Sequence, residues 1–118
     1  MISNSLFAVP LKIGPGSNTE MPPEFLGAFV DVFVATTDSE AAAHIAVKAI
    51  TQQGYEFIDV FDKILQLDPK QWNSYILQRW PQLVEKFPTQ EDVLQGLVSG
   101  FIFFGPFAGF DSNNSAPA

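Results

Sequence analysis

The sequence predicts an α+β fold, with a ferredoxin-like β-α-β-α-β order, a mixed sheet and the helices on one face. Residues 27–62 carry the first reason: GAFVDVFVAT, TDSEAAAHIAVKAITQQG and YEFIDVFD spell strand, capped helix with a glycine stop, and strand. The second lies beyond them, where helical spacing over residues 72–80 and again over 93–98 precedes a last apolar run, FIFF. At 118 residues and 13.0 kDa, one domain is expected over residues 1–110. Residues 1–26 then form an N-terminal arm and loop, and 111–118 (DSNNSAPA) a flexible polar tail. With 47% hydrophobic and only 16% charged residues, the chain has material for a real core and is not generally disordered.

Residues 6–13 (LFAVPLKI) read as a short strand, which Pro10 confines to a sheet edge by removing a ladder donor. Residues 14–23 are a loop, rich in Gly, Pro, Ser and Asn. In the next strand Val30, Val32 and Val34 share one face, while Phe29, Asp31 and Phe33 share the other. The helix over residues 38–53 is expected to open at a capping box between Thr37 and Glu40. Its inner stripe is Ala42, Ala46, Ala49 and Ile50, and Gly54 ends it in a left-handed turn.

The second strand repeats the scheme, with Ile58 and Val60 on one side and Tyr55, Phe57, Asp59 and Phe61 on the other. A strand–helix–strand connection makes its strands parallel, with room for another strand between them. The aliphatic faces should meet the helix and the aromatic faces should point away together. Residues 63–68 (KILQLD) either extend that strand or turn back. Asp68-Pro69 then opens a helix placing Trp72, Tyr75, Ile76, Arg79 and Trp80 along one stripe, limited by Pro81. Pro88-Thr89 starts a further helix with Val93, Leu94, Leu97 and Val98 on one side. The FIFF strand follows, and the Gly- and Phe-rich residues 105–110 are expected to turn over an end of the core.

A net charge of −7 and a pI near 4.3 argue against binding nucleic acid or an anionic membrane surface, which are held through Lys and Arg. A basic protein or cationic ligand fits that charge. Residues 1–14 lack the basic start and apolar run of a signal peptide, so a cytoplasmic protein is expected. There is no Cys and a single histidine, His44, which faces away from the alanine stripe. Thiolate catalysis is excluded, a Ser-His-Asp triad has only His44 to use, and neither a metal nor a cofactor is expected. The glycine clusters at residues 14–16 and 105–109 match no phosphate-binding loop.

The sharper feature is a pair of mid-strand aspartates, Asp31 between Phe29 and Phe33, and Asp59 between Phe57 and Phe61. Asp is disfavoured in strand centres, so its repetition among rings calls for one of two explanations: a partly wet face on which each Asp is hydrated, or a polar group set in an apolar pocket or interface. Burial would raise such a carboxyl's pKa and call for a partner such as Arg79. An uncovered face bearing Phe29, Phe33, Tyr55, Phe57 and Phe61 would be a large apolar patch, of a kind soluble monomers seldom leave open.

The function expected from this is a small non-catalytic interaction protein, homodimeric through its aromatic sheet face. A competing arrangement folds the Trp72–Trp80 helix over that face within one chain. Two other functions fit the composition: a small-ligand binder or enzyme using Asp31 or Asp59 in a sheet-face pocket, and an acidic inhibitor or immunity-type protein for a basic partner.

Overall fold

The computed structural model describes residues 4–22 and 24–110, so the tail expected at 111–118 lies outside the described residues. Two ten-residue strands, β1 (Ser5–Gly14) and β2 (Gly27–Thr36), pair antiparallel from Ser5↔Thr36 to Ile13↔Ala28 and form the middle of a sheet. Each carries two short strands on its outer side. β3 (Glu56–Val60) and β4 (Leu65–Leu67) lie along β1, while β5 (Phe101–Phe104) and β6 (Ala108–Phe110) lie along β2. The helices are α1 (Ser39–Gln52), α2 (Trp72–Arg79) and α3 (Gln90–Ser99). None is long and apolar enough to cross a membrane.

The α+β class holds, but the ferredoxin-like details do not. All five ladders among the described residues are antiparallel, so the sheet they form is not mixed. β2 and β3 do run parallel to each other, with β1 between them. Nor do the helices share one face. Phe7, Val9, Leu11 and Ile13 of β1 and Val30, Val32 and Val34 of β2 bury against Ala42, Ala46 and Ile50 of α1. On the opposite face Leu6, Ala8 and Phe33 bury against Trp72 and Ile76 of α2, Phe87, and Val93 of α3. A strand apolar on both sides can be covered twice, and β1 and β2 are covered in this way.

Pro10 is the second correction. β1 is central, not an edge, and Pro10 is buried opposite Asp31. Its carbonyl accepts from Phe61 N at 3.2 Å, so the position of its missing N–H faces β1's outer side. There the ladder breaks between β3, which pairs Leu11–Gly14, and β4, which pairs Leu6–Ala8. The absent donor therefore falls where no strand asks for one.

β3 supplies the third. Its register jumps from Lys12↔Asp59 to Ile13↔Phe57, leaving Ile58 as an extra residue. Beyond the bulge every side chain changes face. Tyr55 and Phe57 therefore pack on the α1 core beside Val60, and Ile58 is 45% exposed. Residues 65–67 resume the same edge as β4 after an interruption instead of forming a hairpin.

The helix ends follow the sequence except at the start of α1, where Asp38 takes the place of the box expected between Thr37 and Glu40. α1 opens at Asp38, one residue beyond the expected Thr37, with Oδ1 accepting from Ala41 N at 2.8 Å. A carboxylate at this position also meets the positive end of the helix dipole. Gly54 has φ +90° and turns the chain into β3. At α3, Thr89 Oγ1 accepts from Asp92 N and Asp92 Oδ2 from Thr89 N, a reciprocal capping box.

Candidate functional site

α2 and α3 cover only part of the face opposite α1, the lower face of the sheet. Trp72 is pinned by its indole N–H, which donates to Pro88 O at 2.8 Å. Trp80 stacks on Phe87 at 5.1 Å between centroids, and Pro81 follows it. α2 therefore stops with Arg79 and Trp80 above the middle of β2. Phe33 sits behind that stop, fully buried among Trp72, Tyr75, Trp80, Phe87 and Phe103. Beyond it the face is open, and a furrow runs between α2 and the strand ends.

The floor of the furrow is an ion pair. Arg79 Nη2 donates to Asp31 Oδ2 at 2.9 Å, with the Asp31 side chain 11% exposed and that of Arg79 44%. Arg79 Nη1 donates to the Tyr75 hydroxyl at 3.0 Å, and the guanidinium carbon lies 4.9 Å from the Trp80 ring centre. Two rings and a carboxylate thus fix one guanidinium, a planar donor suited to such a seat. Burial pushes the Asp31 carboxyl above its ordinary pKa; Arg79 offsets part of that, and the neighbouring charge of Asp62 adds to the rise. Burial also raises the Tyr75 phenol, against the pull of Arg79.

The opposite wall is aromatic. Phe61, 44% exposed, meets Phe29 edge-on at 4.7 Å, and Phe29 leans on Phe110 at 5.2 Å. Lys12 Nζ lies 5.2 Å from the centre of the Phe110 ring. Two small hollows flank Asp31, one of ≈ 60 Å³ toward Tyr75 and Lys63, the other of ≈ 180 Å³ toward Trp80 and Pro106. A larger one of ≈ 430 Å³ lies away from this chemistry, lined by Met21, Phe25, Tyr55 and Phe107 with Glu20 its one charged residue. A single exposed carboxylate gives a ligand little to orient it.

Four of the seven candidates from the sequence meet here: Phe29, Asp31, Phe61 and Arg79. Phe33 belongs to the core behind them. Phe57 is on the other side of the sheet, turned there by the bulge. Asp59 keeps the furrow's face but is exposed opposite Lys12 and lines neither hollow beside Asp31. Trp80 and Tyr75, which helical spacing puts on one stripe with Arg79, also form the furrow wall; their place beside Arg79 was the available signal. Phe110 was expected only to cap the core, yet β6 lays it beside Phe29. Among the described residues, no group of three His, Cys, Asp or Glu side chains could hold a metal ion, and His44 is exposed on α1. Comparison of the chain with protein-family models, curated proteins and solved structures finds no match.

Proposed function

We infer that this protein is a small non-catalytic interaction protein and that the aromatic furrow receives a segment of another protein. The observation that carries this reading is the half-exposed Phe61 ring set beside a largely buried Asp31 whose partner, a half-exposed Arg79, is held between two rings. Aromatic side chains and Arg are the groups that anchor protein interfaces. The hollows beside Asp31, at ≈ 60 and ≈ 180 Å³, fall short of the roughly 300 Å³ at which small-molecule pockets begin. Asp31 is already engaged by Arg79 and Asp59 stands in solvent, which weighs against either as a general base.

Asp59 and Asp62 stand near Phe61 at the furrow's rim, and the whole chain carries −7. Arg79 and Lys12 are occupied by a carboxylate and by rings. Lys63 beside the smaller hollow offsets one of these carboxylates, so the free charge around the furrow is mildly acidic, and a partner segment bearing Lys or Arg suits it. A face-to-face homodimer has less to work with than the strand patterns suggested, because Phe33 and Phe57 are taken up elsewhere.

Affinity capture from lysate with the parent, Phe61→Glu and Arg79→Ala tests the reading. A protein retained by the parent and lost by both variants, at unchanged folding, supports it. Equal recovery on all three baits would refute it.

A further inference from the structure

The two outer edges of the sheet are built differently. On the β1 side, β3 carries Glu56 and Asp59, bulges at Ile58 and leads into Asp62 and Lys63. Charges and bulges are how sheets keep an edge from pairing with other chains. On the β2 side, β5 is Phe-Ile-Phe-Phe, pairs with β2 alone among the described residues, and lies in a stretch without any charge from residue 93 to 110.

Ladder alternation says which backbone groups this edge presents. Gly105 N donates to Asp31 O at 2.8 Å, in continuation of the register Phe33↔Phe103 and Ala35↔Phe101. Residues 101, 103 and 105 therefore turn their backbone groups toward β2, and Ile102 and Phe104 turn theirs outward. No hydrogen bond from a turn, loop or cap reaches Ile102 or Phe104 among the described residues. Ile102 is 49% exposed.

We propose that β5 is a homodimerisation edge, pairing antiparallel with β5 of a second copy about a two-fold axis at Phe103. That register sets Ile102 against Phe104 of the partner subunit, and Phe104 against Ile102 of the partner subunit. All outward N–H and C=O groups of both strands are then used, in four hydrogen bonds.

Three features select this occupant. A row of outward strand groups, otherwise left to water, is matched in spacing by another strand and not by a small ligand. Two chains of charge −7 repel each other, and the contact falls within a segment that carries no charge. A hollow of ≈ 390 Å³ lined by Val34, Ala35, Ile45 and Phe101 opens beside Ile102 on the α1 side, the side on which Phe104 of the partner subunit would lie. The inference rests on reading the chain as an interaction protein, but assigns self-association to the edge instead of the furrow.

Sedimentation equilibrium of the full chain should give about twice the 13.0 kDa chain mass. The amides of Ile102 and Phe104 should be protected from hydrogen exchange in the dimer and released on dilution. Ile102→Pro removes an outward donor and spares the β2 ladder; Ile102→Lys places like charges across the seam. Each should halve the mass, and Ile102→Lys carries the test if the proline variant does not fold. Phe61→Glu should leave the mass unchanged, which separates failure of the furrow reading from failure of this one. A monomer at high micromolar concentration overturns the proposal. So does a dimer whose Ile102 and Phe104 amides exchange freely, or one lost with Phe61→Glu and kept with Ile102→Lys.

Discussion

Truncating Phe33 to alanine decides whether the lower sheet face is closed within one chain or between two. The ring is fully buried and lies 5.0 Å from Trp72, 6.1 Å from Trp80 and 6.2 Å from Tyr75, edge-on to each. Transfer of a Phe side chain out of water is worth roughly 1.5–3 kcal/mol. The walls here are strands and a pinned indole that cannot close in, so a cavity cost adds to it. The expected total is about 3–5 kcal/mol. For a domain near 100 residues this lowers Tm by roughly 10–20 °C. Urea unfolding followed by tryptophan fluorescence reads it directly, because both indoles, Trp72 and Trp80, flank the site. Mass measured below the midpoint should equal that of the parent. A loss under about 0.5 kcal/mol, the size of a surface substitution, accompanied by a fall in mass would refute the intramolecular cover.

Three further substitutions probe other parts of the fold. Because the folded Asp31 carboxyl binds its proton more tightly than the unfolded one, the parent should lose stability as pH rises from the ordinary carboxyl range through the folded pKa. Asp31→Asn should abolish that slope. Arg79→Ala, leaving Asp31 charged and unpaired, should cost about 1 kcal/mol at neutral pH, discounted for a half-exposed guanidinium. That cost should vanish in acid, where Asp31 is protonated; an equal cost in denaturant melts at both pH values would sink the argument. Gly54→Ala places a Cβ at φ +90° and 3.2 Å from Ser17 Oγ, and should destabilise by about 1–2 kcal/mol. A melt matching the parent's would show that the turn can relax.

Local chemistry was legible from the residues alone. Residues 27–36 alternate branched and aromatic side chains, so a strand and its two faces follow. A cap read at Thr37, one residue short of Asp38, together with the alanine stripe and Gly54, defines α1 to within a residue at either end, because caps and stops act over three or four residues. The same holds for the helix start at Pro88-Thr89, and for FIFF between its glycines. Even the Asp31–Arg79 pair could be anticipated, since a carboxylate among rings needs a counter-charge and Arg79 is one of only six basic residues.

Everything that depended on which long-range partner a strand finds was decided by tertiary structure. Pro10 reads as an edge residue until the gap between β3 and β4 is known to face it. One extra residue at Ile58 reverses Tyr55 and Phe57, and no local pattern separates a bulged strand from a regular one. The two apolar sides of β2 offered one helix a seat as readily as three. That α2 and α3 close over Phe33 but stop short of Asp31 follows from where Trp72, Phe87 and Pro81 end the cover. Spacing along a chain fixes what each segment can bury; only packing settles which surfaces remain for a partner.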